Sequence, residues 1–161
     1  MKNSNLFLIS APSGTGKSTL INSVLDRAHK SKFPLELSIS YTTRKPRVGE
    51  TDSDHYFFIS PEEFARKKES NFFLEHAEVH GNWYGTSIEF VQSKLDNGIS
   101  LILEIDVQGY RQINSLSLAY ESIFILPPSI RALEERIKNR GDNDLASINL
   151  RLENAKKELI C

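Results

Sequence analysis

The strongest constraint on the fold is a glycine-rich segment near the amino terminus, Ala11-Pro-Ser-Gly-Thr-Gly-Lys-Ser18. An apolar run at 6–9 precedes it and is typical of a buried strand, and the residues at 19–25 are typical of the start of a helix. A strand, a glycine loop and a helix in this order form the context of a phosphate-binding loop. A chance glycine turn would not require the Gly-Lys-Ser triplet at its end. The sequence therefore predicts an anion site between the first strand and the first helix of an α/β domain.

The residue types in this segment match the chemistry of a nucleotide phosphate. Gly14 and Gly16 let the backbone curl so that successive N–H groups point at an anion, and the positive end of the helix dipole adds to the attraction. Lys17 supplies a full charge to the β- and γ-phosphates, and the Ser18 hydroxyl is a ligand for Mg²⁺. Ala11 replaces the usual first glycine, which is tolerable if its φ angle is negative. The predicted ATP phosphate-binding residues are Ala11, Pro12, Ser13, Gly14, Thr15, Gly16, Lys17, Ser18 and Thr19.

Length and composition limit the class of protein. A chain of 161 residues is one ordinary domain, and its net charge of −1 gives no global signature of nucleic-acid binding. The single cysteine, Cys161, excludes an intramolecular disulfide and a multi-cysteine metal site, as is common in the cytoplasm. No segment is long and apolar enough for a secretory signal or a membrane span. We therefore expect a cytoplasmic protein without a nucleic-acid or membrane partner, and the sequence does not indicate its oligomeric state.

Hydrophobic spacing predicts the order of elements. Apolar runs at 6–9, 101–105 and 123–126 predict strands buried on both faces, and helical spacing predicts helices over 19–29, 87–97, 129–140 and 146–160. Strands that alternate with helices indicate a parallel sheet with covered faces. From about residue 35 to 84 the chain is polar, aromatic and turn-rich, with predicted strands over 36–43 and 55–59 and a capping box from Ser60 to Glu63. This middle segment predicts an inserted subdomain of antiparallel strands and one helix.

A basic loop in the middle segment is a candidate second phosphate site. Three of the four residues at 44–47 are cations, and a proline and a glycine in the same segment indicate a turn. Arginine forks match phosphate oxygens two at a time. Alone, the cluster would be interpreted as a solvated loop, but beside a phosphate-binding loop it indicates a second nucleotide. The side chains that could bind this phosphate are Arg44, Lys45, Arg47, Tyr56 and Tyr84.

Several further segments along the chain form a characteristic series. They are Ser40-Tyr-Thr-Thr-Arg-Lys-Pro-Arg-Val-Gly-Glu50 with Tyr56-Phe-Phe, Phe73-Leu-Glu-His-Ala77, Gly81-Asn-Trp-Tyr-Gly-Thr86, Leu103-Glu-Ile-Asp-Val-Gln-Gly109, and Leu133-Glu-Glu-Arg-Ile-Lys-Asn-Arg-Gly141 with Ile148 and Arg151-Leu152. In their order and spacing, these segments resemble the guanylate kinases over essentially the whole chain. The resemblance implies a P-loop kinase core with a parallel sheet flanked by helices, an inserted α+β GMP-binding subdomain and a helical lid. We expect the core at 1–34 and 94–161, the lid at about 129–150 and the subdomain at 35–93.

The resemblance also implies how the acceptor nucleotide is bound. Two arginines and two tyrosines would hold its phosphate, and Ser40, Glu75 and Thr86 would recognise guanine. One carboxylate accepts the N1–H and N2–H₂ donors of guanine together, whereas adenine inverts this pattern and would leave buried polar groups unpaired. Asp106 is also interpretable as a helix N-cap. The implied GMP-binding residues are Ser40, Arg44, Arg47, Tyr56, Glu75, Tyr84, Thr86, Glu104 and Asp106, and the implied metal-binding residues are Ser18 and Asp106.

The implied reaction is the transfer of a phosphoryl group from Mg·ATP to GMP, giving ADP and GDP. A phosphate oxygen is already an anion at neutral pH, so that no general base is needed and catalysis depends on positioning and charge neutralisation. Arg136 and Arg140 lie four residues apart on one helical face and can point at one ligand. The implied catalytic residues are Lys17, Arg136, Arg140 and Arg151, with Mg²⁺ as cofactor.

Three alternatives differ in class. Guanylate-kinase-like domains of scaffold proteins bind phosphopeptides without catalysis, but they typically have a damaged phosphate loop, which is intact in this chain. Glu75 argues against a kinase for another nucleoside monophosphate, and the absence of an Asn-Lys-x-Asp motif argues against a GTPase.

The chain also departs from the family pattern. Ser53 replaces a usual glycine, and Gly141-Asp-Asn-Asp144 differs from the common lid sequence. Family members usually continue past the position of Cys161 with a strand, an asparagine-bearing loop and a closing helix. We therefore expect a C-terminally truncated member, and the sequence leaves open whether it is active without that part.

Overall fold

The computed structural model describes residues 4–79, 81–138, 148–149, 152–155 and 159. Within these residues, the strands are β1 Leu6–Ser10, β2 Leu35–Leu37, β3 Tyr41–Thr42, β4 Phe57–Phe58, β5 Phe73–Val79, β6 Asn82–Ser87, β7 Ser100–Glu104 and β8 Glu121–Phe124. The helices are α1 Lys17–Lys30, α2 Pro61–Glu69, α3 Ile88–Asp96, α4 Val107–Asn114 and α5 Ile130–Lys138. None of these helices is long and apolar enough to cross a bilayer.

The core is a parallel sheet covered by helices on both faces, as the sequence predicts. Its strand order is β2-β7-β1-β8, and every pair in it is parallel. Because alternate residues of a strand face opposite sides, β1 contributes Leu8 to one apolar cluster and Ile9 to another. Val91 of α3 packs in the first cluster, and Ile21 of α1 packs in the second. This arrangement brings the carboxyl ends of β1 and β7 together, where ligand sites of open α/β sheets lie.

The inserted subdomain is built on a second sheet with the order β4-β3-β6-β5. The sequence-based expectation of antiparallel strands is confirmed for the pairs β3–β6 and β5–β6 but was wrong for β3 and β4, which pair in parallel. A parallel pair requires a long crossover connection, and residues 43–56 supply it. The basic loop lies within this crossover. Ser60 caps α2 by accepting a hydrogen bond from the backbone of Glu63, as the capping pattern predicts.

Two further strand predictions need correction. The predicted strand over 36–43 is two strands, since β2 belongs to the core sheet and β3 to the second sheet. The predicted burial of the third apolar run on both faces was also wrong. All four residues of β8 are exposed. Among the described residues β8 lies at the edge of the core sheet, because β1 is the strand that pairs with it.

These bounds shift the proposed division of the chain. The expected boundary at residue 35 would cut β2 from the core sheet, and the boundary at 93 falls inside α3. We therefore propose that the subdomain begins after Leu37 and ends before Ile88. The described part of the expected lid is residues 129–138, which contain α5, and residues 148–149, whereas residues 139–147 and 150 lie outside the described residues.

Candidate functional site

The glycine loop has the backbone of an anion site. Gly14 and Gly16 have φ angles of +88° and +96°, a region that residues with a Cβ rarely adopt. Gly16 is the N-cap of α1, so that the positive end of this helix faces the loop. The Thr15 hydroxyl donates to the Pro12 carbonyl at 2.9 Å and fixes the turn. Ala11 is not among the described residues with positive φ, and the alanine is therefore tolerated at that position.

Helix α5 lies directly on this loop. A Cβ built on Gly14 would lie 2.9 Å from Cγ1 of Ile137, so that only glycine permits this close packing. The Arg136 guanidinium donates to the Thr15 carbonyl at 3.0 Å. The structure thus places Arg136 at the loop. The predicted catalytic residues Arg140 and Arg151 lie outside the described residues.

A carboxylate at the end of β7 faces the loop. Glu104 Oε1 lies 3.4 Å from Lys17 Nζ and accepts a hydrogen bond from the Ser18 hydroxyl at 3.4 Å. Pairing of Ile9 with Glu104 in the parallel sheet explains this placement, because the loop follows β1 and Glu104 ends β7. Glu104, predicted for the acceptor nucleoside, contacts residues of the donor loop.

The oxygen atoms near Ser18 fit a hard cation. The hydroxyl of Ser18 and the carboxylates of Glu104 and Asp106 are oxygen donors, which Mg²⁺ prefers. No cluster of three or more acidic, histidine or cysteine side chains for a metal occurs among the described residues. This donor set suits Mg²⁺ that arrives with substrate phosphates rather than an all-protein cage.

Asp106 performs a second task. It is the N-cap of α4, and its Oδ1 accepts the Gly109 N–H at 2.8 Å. Its Oδ2 accepts from the Gln108 side chain at 3.1 Å. The capping interpretation of Asp106 is therefore what the structure contains, and its metal-binding role stays a prediction.

A cleft of about 1290 Å³ brings together the residues predicted to bind the phosphates of ATP. Its lining contains the loop from Ala11 to Thr19 and the side chains of Glu104, Asp106 and Arg136. The other predicted acceptor residues lie outside this lining and group around the second sheet. Burial raises the pKa of Tyr56, and the negative charge of Glu104 raises it further, so that the two groups are electrostatic neighbours.

The basic loop is organised by a carboxylate that the sequence analysis missed. Arg44 donates from Nη1 and Nη2 to the two carboxylate oxygens of Glu50, at 2.9 and 2.8 Å. The Arg47 backbone N–H donates to Glu50 at 2.7 Å. These two donors, with Arg44 the larger influence, lower the pKa of Glu50 to about 2. A positive φ at Gly49 turns the chain so that Glu50 points back toward Arg44. This glycine is the feature of the sequence that could have indicated the contact.

Aromatic rings complete the basic loop. The Arg44 guanidinium carbon lies 5.3 Å from the centroid of the Tyr56 ring and 5.8 Å from that of Phe58, a cation–π arrangement. Tyr84 packs against Tyr56 with ring centroids 5.9 Å apart. The predicted phosphate ligands Arg44, Tyr56 and Tyr84 are therefore adjacent. Arg47 joins them through the backbone contact of its loop with Glu50.

The predicted guanine-binding residues also come together. Glu75 is 5% exposed, and its Oε1 accepts a hydrogen bond from Thr86 at 2.6 Å. The Ser40 hydroxyl lies 3.4 Å from that of Thr86. Pairing of Glu75 with Thr86 across β5 and β6 explains the first contact. Burial of the carboxyl group raises the pKa of Glu75 to about 7.

Helix α4 of the core holds the strand that carries Glu75. A Cβ on Gly109 would lie 2.6 Å from Glu75 Oε2, so that glycine is required for this close approach. The Gln112 side chain accepts the His76 N–H at 3.1 Å and donates to the His76 carbonyl at 2.7 Å. Gln112 could not be identified from the sequence, because a lone glutamine in a short helix has no distinguishing pattern.

Comparisons with known proteins agree with this geometry. The family model for guanylate kinase matches residues 3–161. The chain is 47% identical over 159 residues to the guanylate kinase of Hahella chejuensis, covering 99% of this chain and 74% of that one. It is 45% identical over 159 residues to the guanylate kinase of Photobacterium profundum, covering 99% and 76%. The crystal structure of guanylate kinase from Anaplasma phagocytophilum matches with a TM-score of 0.76 at 31% identity, covering 99% of this chain and 72% of that chain.

The comparisons confirm both the fold class and the resemblance that the sequence motifs predict. The scaffold alternative is not favoured, because the relatives are named as kinases and Gly16, Lys17 and Ser18 form an intact loop. The chain belongs to the guanylate kinase family and is a nucleoside monophosphate kinase.

Proposed function

We propose that the chain transfers the γ-phosphoryl group of ATP to GMP, giving ADP and GDP. The observation that carries this proposal is the presence of two unlike cationic sites in one domain, with a buried carboxylate beside the second. The first site is the glycine loop with Lys17. The second is the basic loop with Arg44, and the buried carboxylate is that of Glu75.

The donor nucleotide would bind in the 1290 Å³ cleft, with its phosphates on the loop amides and Lys17. Lys17 now lies beside Glu104, and its side chain is 19% exposed. An incoming phosphate would therefore replace Glu104 as the partner of the Lys17 ammonium group, which already lies at the entrance of the loop. Mg²⁺ would be held by Ser18 and Asp106 and would neutralise phosphate charge.

The acceptor would bind on the second sheet. Arg44 and Arg47, with the hydroxyls of Tyr56 and Tyr84, would bind its phosphate. The ionised carboxylate of Glu75 would accept both guanine donors. The hydroxyls of Ser40 and Thr86, which lie 3.4 Å apart, would face the O6 acceptor. Thr86 would then turn its single O–H from Glu75 Oε1 to O6, as the guanine donors take its place on the carboxylate. This set of groups supports guanine over adenine.

Transfer would proceed by positioning and charge neutralisation, without a general base. Arg136, already bonded to the loop at Thr15, would neutralise the transferring group together with Lys17. Arg140 and Arg151 are proposed for the same task, as part of a lid that excludes water. A cytoplasmic location remains part of the proposal, supported by the single cysteine.

The experiment is ADP formation from Mg·ATP with GMP, AMP, CMP and UMP offered separately. Turnover with GMP alone is the expected result. Equal or faster turnover with AMP would show that Glu75 does not select the base. If no acceptor gave turnover, calorimetry with GMP would distinguish a domain that only binds the nucleotide from one that does not bind it.

A further inference from the structure

One carboxylate, that of Glu50, links the two ends of the basic loop at 44–50. Glu50 accepts two hydrogen bonds from the Arg44 guanidinium and one from the Arg47 backbone. Its side chain is 17% exposed and that of Arg44 is 13% exposed, so that the pair is largely shielded from water. Because the pKa of Glu50 is held at about 2, the group is ionised throughout the neutral range. The loop thus contains a permanent anion among cations predicted to bind a phosphate.

The ion pair with Glu50 directs the side edge of the Arg44 guanidinium away from the carboxylate. Nη1 uses one hydrogen for Glu50 and the other for the Lys45 carbonyl at 2.9 Å, and Nη2 uses one hydrogen for Glu50. Glu50 and Lys45 do not use the Nε–H and the second Nη2–H, which lie parallel on the side of the planar fork. The side chain of Tyr84, itself a predicted ligand of the phosphate, also hydrogen-bonds Arg44. The hydrogen bond with Glu50, and to a lesser extent that with Tyr84, raises the pKa of Arg44. Two parallel N–H groups match two oxygens of a phosphate. The Tyr56 ring covers one face of the guanidinium and restricts its rotation.

We propose that Glu50 is a positioning residue for the acceptor phosphate, which orients Arg44 so that its side edge faces the ligand. This inference rests on the proposed function, since it assumes that the phosphate belongs to GMP. Glu50 also sets the loop charge, because it offsets one of the three cations and leaves a surplus that matches a phosphate dianion. A competing role, in which the phosphate displaces Glu50, would leave a shielded carboxylate without its partner.

The test is Glu50→Gln, which preserves the side-chain shape and removes the charge. Calorimetry should show GMP binding weakened by about tenfold or more, because the amide has no charge and only one acceptor oxygen for the donors that both carboxylate oxygens now accept. Guanosine, which lacks the phosphate, should bind as tightly to the variant as to the unsubstituted chain. In steady-state kinetics, KM for GMP should rise while kcat and KM for ATP stay close to their original values. Glu63→Gln, which removes a partly exposed ion pair with Lys67 in the same subdomain, is the matched control.

The outcomes separate the possible roles. Equal losses for guanosine and GMP would overturn the proposal in favour of general structural support. Unchanged or tighter GMP binding would also overturn it. If Glu50→Gln fails to melt cooperatively, Glu50→Asp keeps the charge on a shorter side chain. The selective loss for GMP is then expected in that variant, and its absence overturns the proposal. Failure of the proposed function is a distinct result, because the unsubstituted chain would then not bind GMP.

Discussion

The glycine loop at 11–19 and the basic loop at 44–50 are both built to meet a phosphate, but by different means. In the glycine loop, the backbone forms the phosphate site, through two glycines at positive φ and a helix that begins at Lys17. In the basic loop, side chains form the site, and Arg44 is held by Glu50 and by two aromatic rings from a separate strand region.

This difference has a physical consequence. A backbone site depends on a short continuous segment, and its amides keep their positions when distant side chains change. A side-chain site depends on every residue that fixes a rotamer, because a long arginine has many alternatives. The two sites should therefore fail independently, and substitutions far from the phosphate should affect the second site more than the first.

Lys17→Ala is the strongest test of that independence. The variant lacks the only full charge that the glycine loop itself supplies, so that turnover should fall by about 10³-fold, as for the loss of a key charge-stabilising group. GMP affinity should stay within about twofold, because the predicted ligands of the acceptor phosphate and base on the second sheet do not contact Lys17, and Glu104 is the predicted acceptor residue that does. ADP formation and GMP calorimetry measure the two effects. Lys30→Ala, at the exposed end of the same helix, is the control. Near-normal turnover of Lys17→Ala would contradict the donor assignment.

Glu75→Gln sharpens the description of the acceptor site. One guanine donor would lose its acceptor in a buried place, and a lost partner there costs about 1–3 kcal/mol, or about 5- to 150-fold in affinity. Unlike Glu50→Gln, this variant should weaken guanosine and GMP equally, because the contact is with the base. Glu69→Gln, exposed at the end of α2, is the matched control in the calorimetry. An unchanged guanosine affinity would refute the base-reading role.

A methyl group added at either of two glycines compares the sites directly. Gly109→Ala would place a Cβ 2.6 Å from the Glu75 carboxylate and should weaken GMP binding by about tenfold, since overpacking costs about 1–3 kcal/mol. Gly14→Ala would place a Cβ 2.9 Å from Ile137 and should lower turnover while GMP affinity is kept. Measured KM for GMP and for ATP distinguish the two variants. Loss of GMP affinity in Gly14→Ala would show that the sites are coupled.

The local parts of the fold were predictable from the sequence. The strand before the glycine loop, α1, α3 and the cap at Ser60 follow from short-range patterns, and the structure contains them. The division of 36–43 into β2 and β3 was not predictable, because period-two alternation is the same in either sheet and pairing is set by distant strands. The start of helix α4 was anticipated by the N-cap interpretation of Asp106, but its extent was not predicted, since the helix is short and contains Gly109, a weak helix former.

The candidate site divides in the same way. The loop residues and the capping of α4 by Asp106 could be read from neighbouring residues, and both are present. Glu50 and Gln112 were missed because their partners depend on turn geometry and on packing between core and subdomain. Arg136 could be placed on a helical face from its spacing, but its bond to the Thr15 carbonyl depends on how α5 packs.

The pH dependence of stability tests the environment of Glu75. Burial raises its pKa from an ordinary value of 4.5 to about 7, with the Asp106 charge adding to the rise and the Thr86 hydrogen bond opposing it. A carboxyl group with a raised pKa in the folded state favours folding below its ordinary pKa, and that contribution is lost as the pH rises through about 7. Urea unfolding should therefore show a fall in the free energy of unfolding from pH 5 to 8 that is smaller in Glu75→Gln. Parallel curves for both proteins would contradict the burial argument.

The same titration should act on ligand binding with the opposite sign, and this is the smallest effect that we predict. Only the ionised Glu75 accepts both guanine donors, so that guanosine affinity should fall by about threefold between pH 7.5 and 6.5 for a group with a pKa of about 7. Guanosine is the better probe, because the second ionisation of a phosphate lies near pH 6 and would add its own dependence for GMP. Glu75→Gln should bind guanosine weakly at both pH values, with no trend. A fall of equal size in the variant would assign the titration to another group, and the carboxylate would then not be the guanine acceptor.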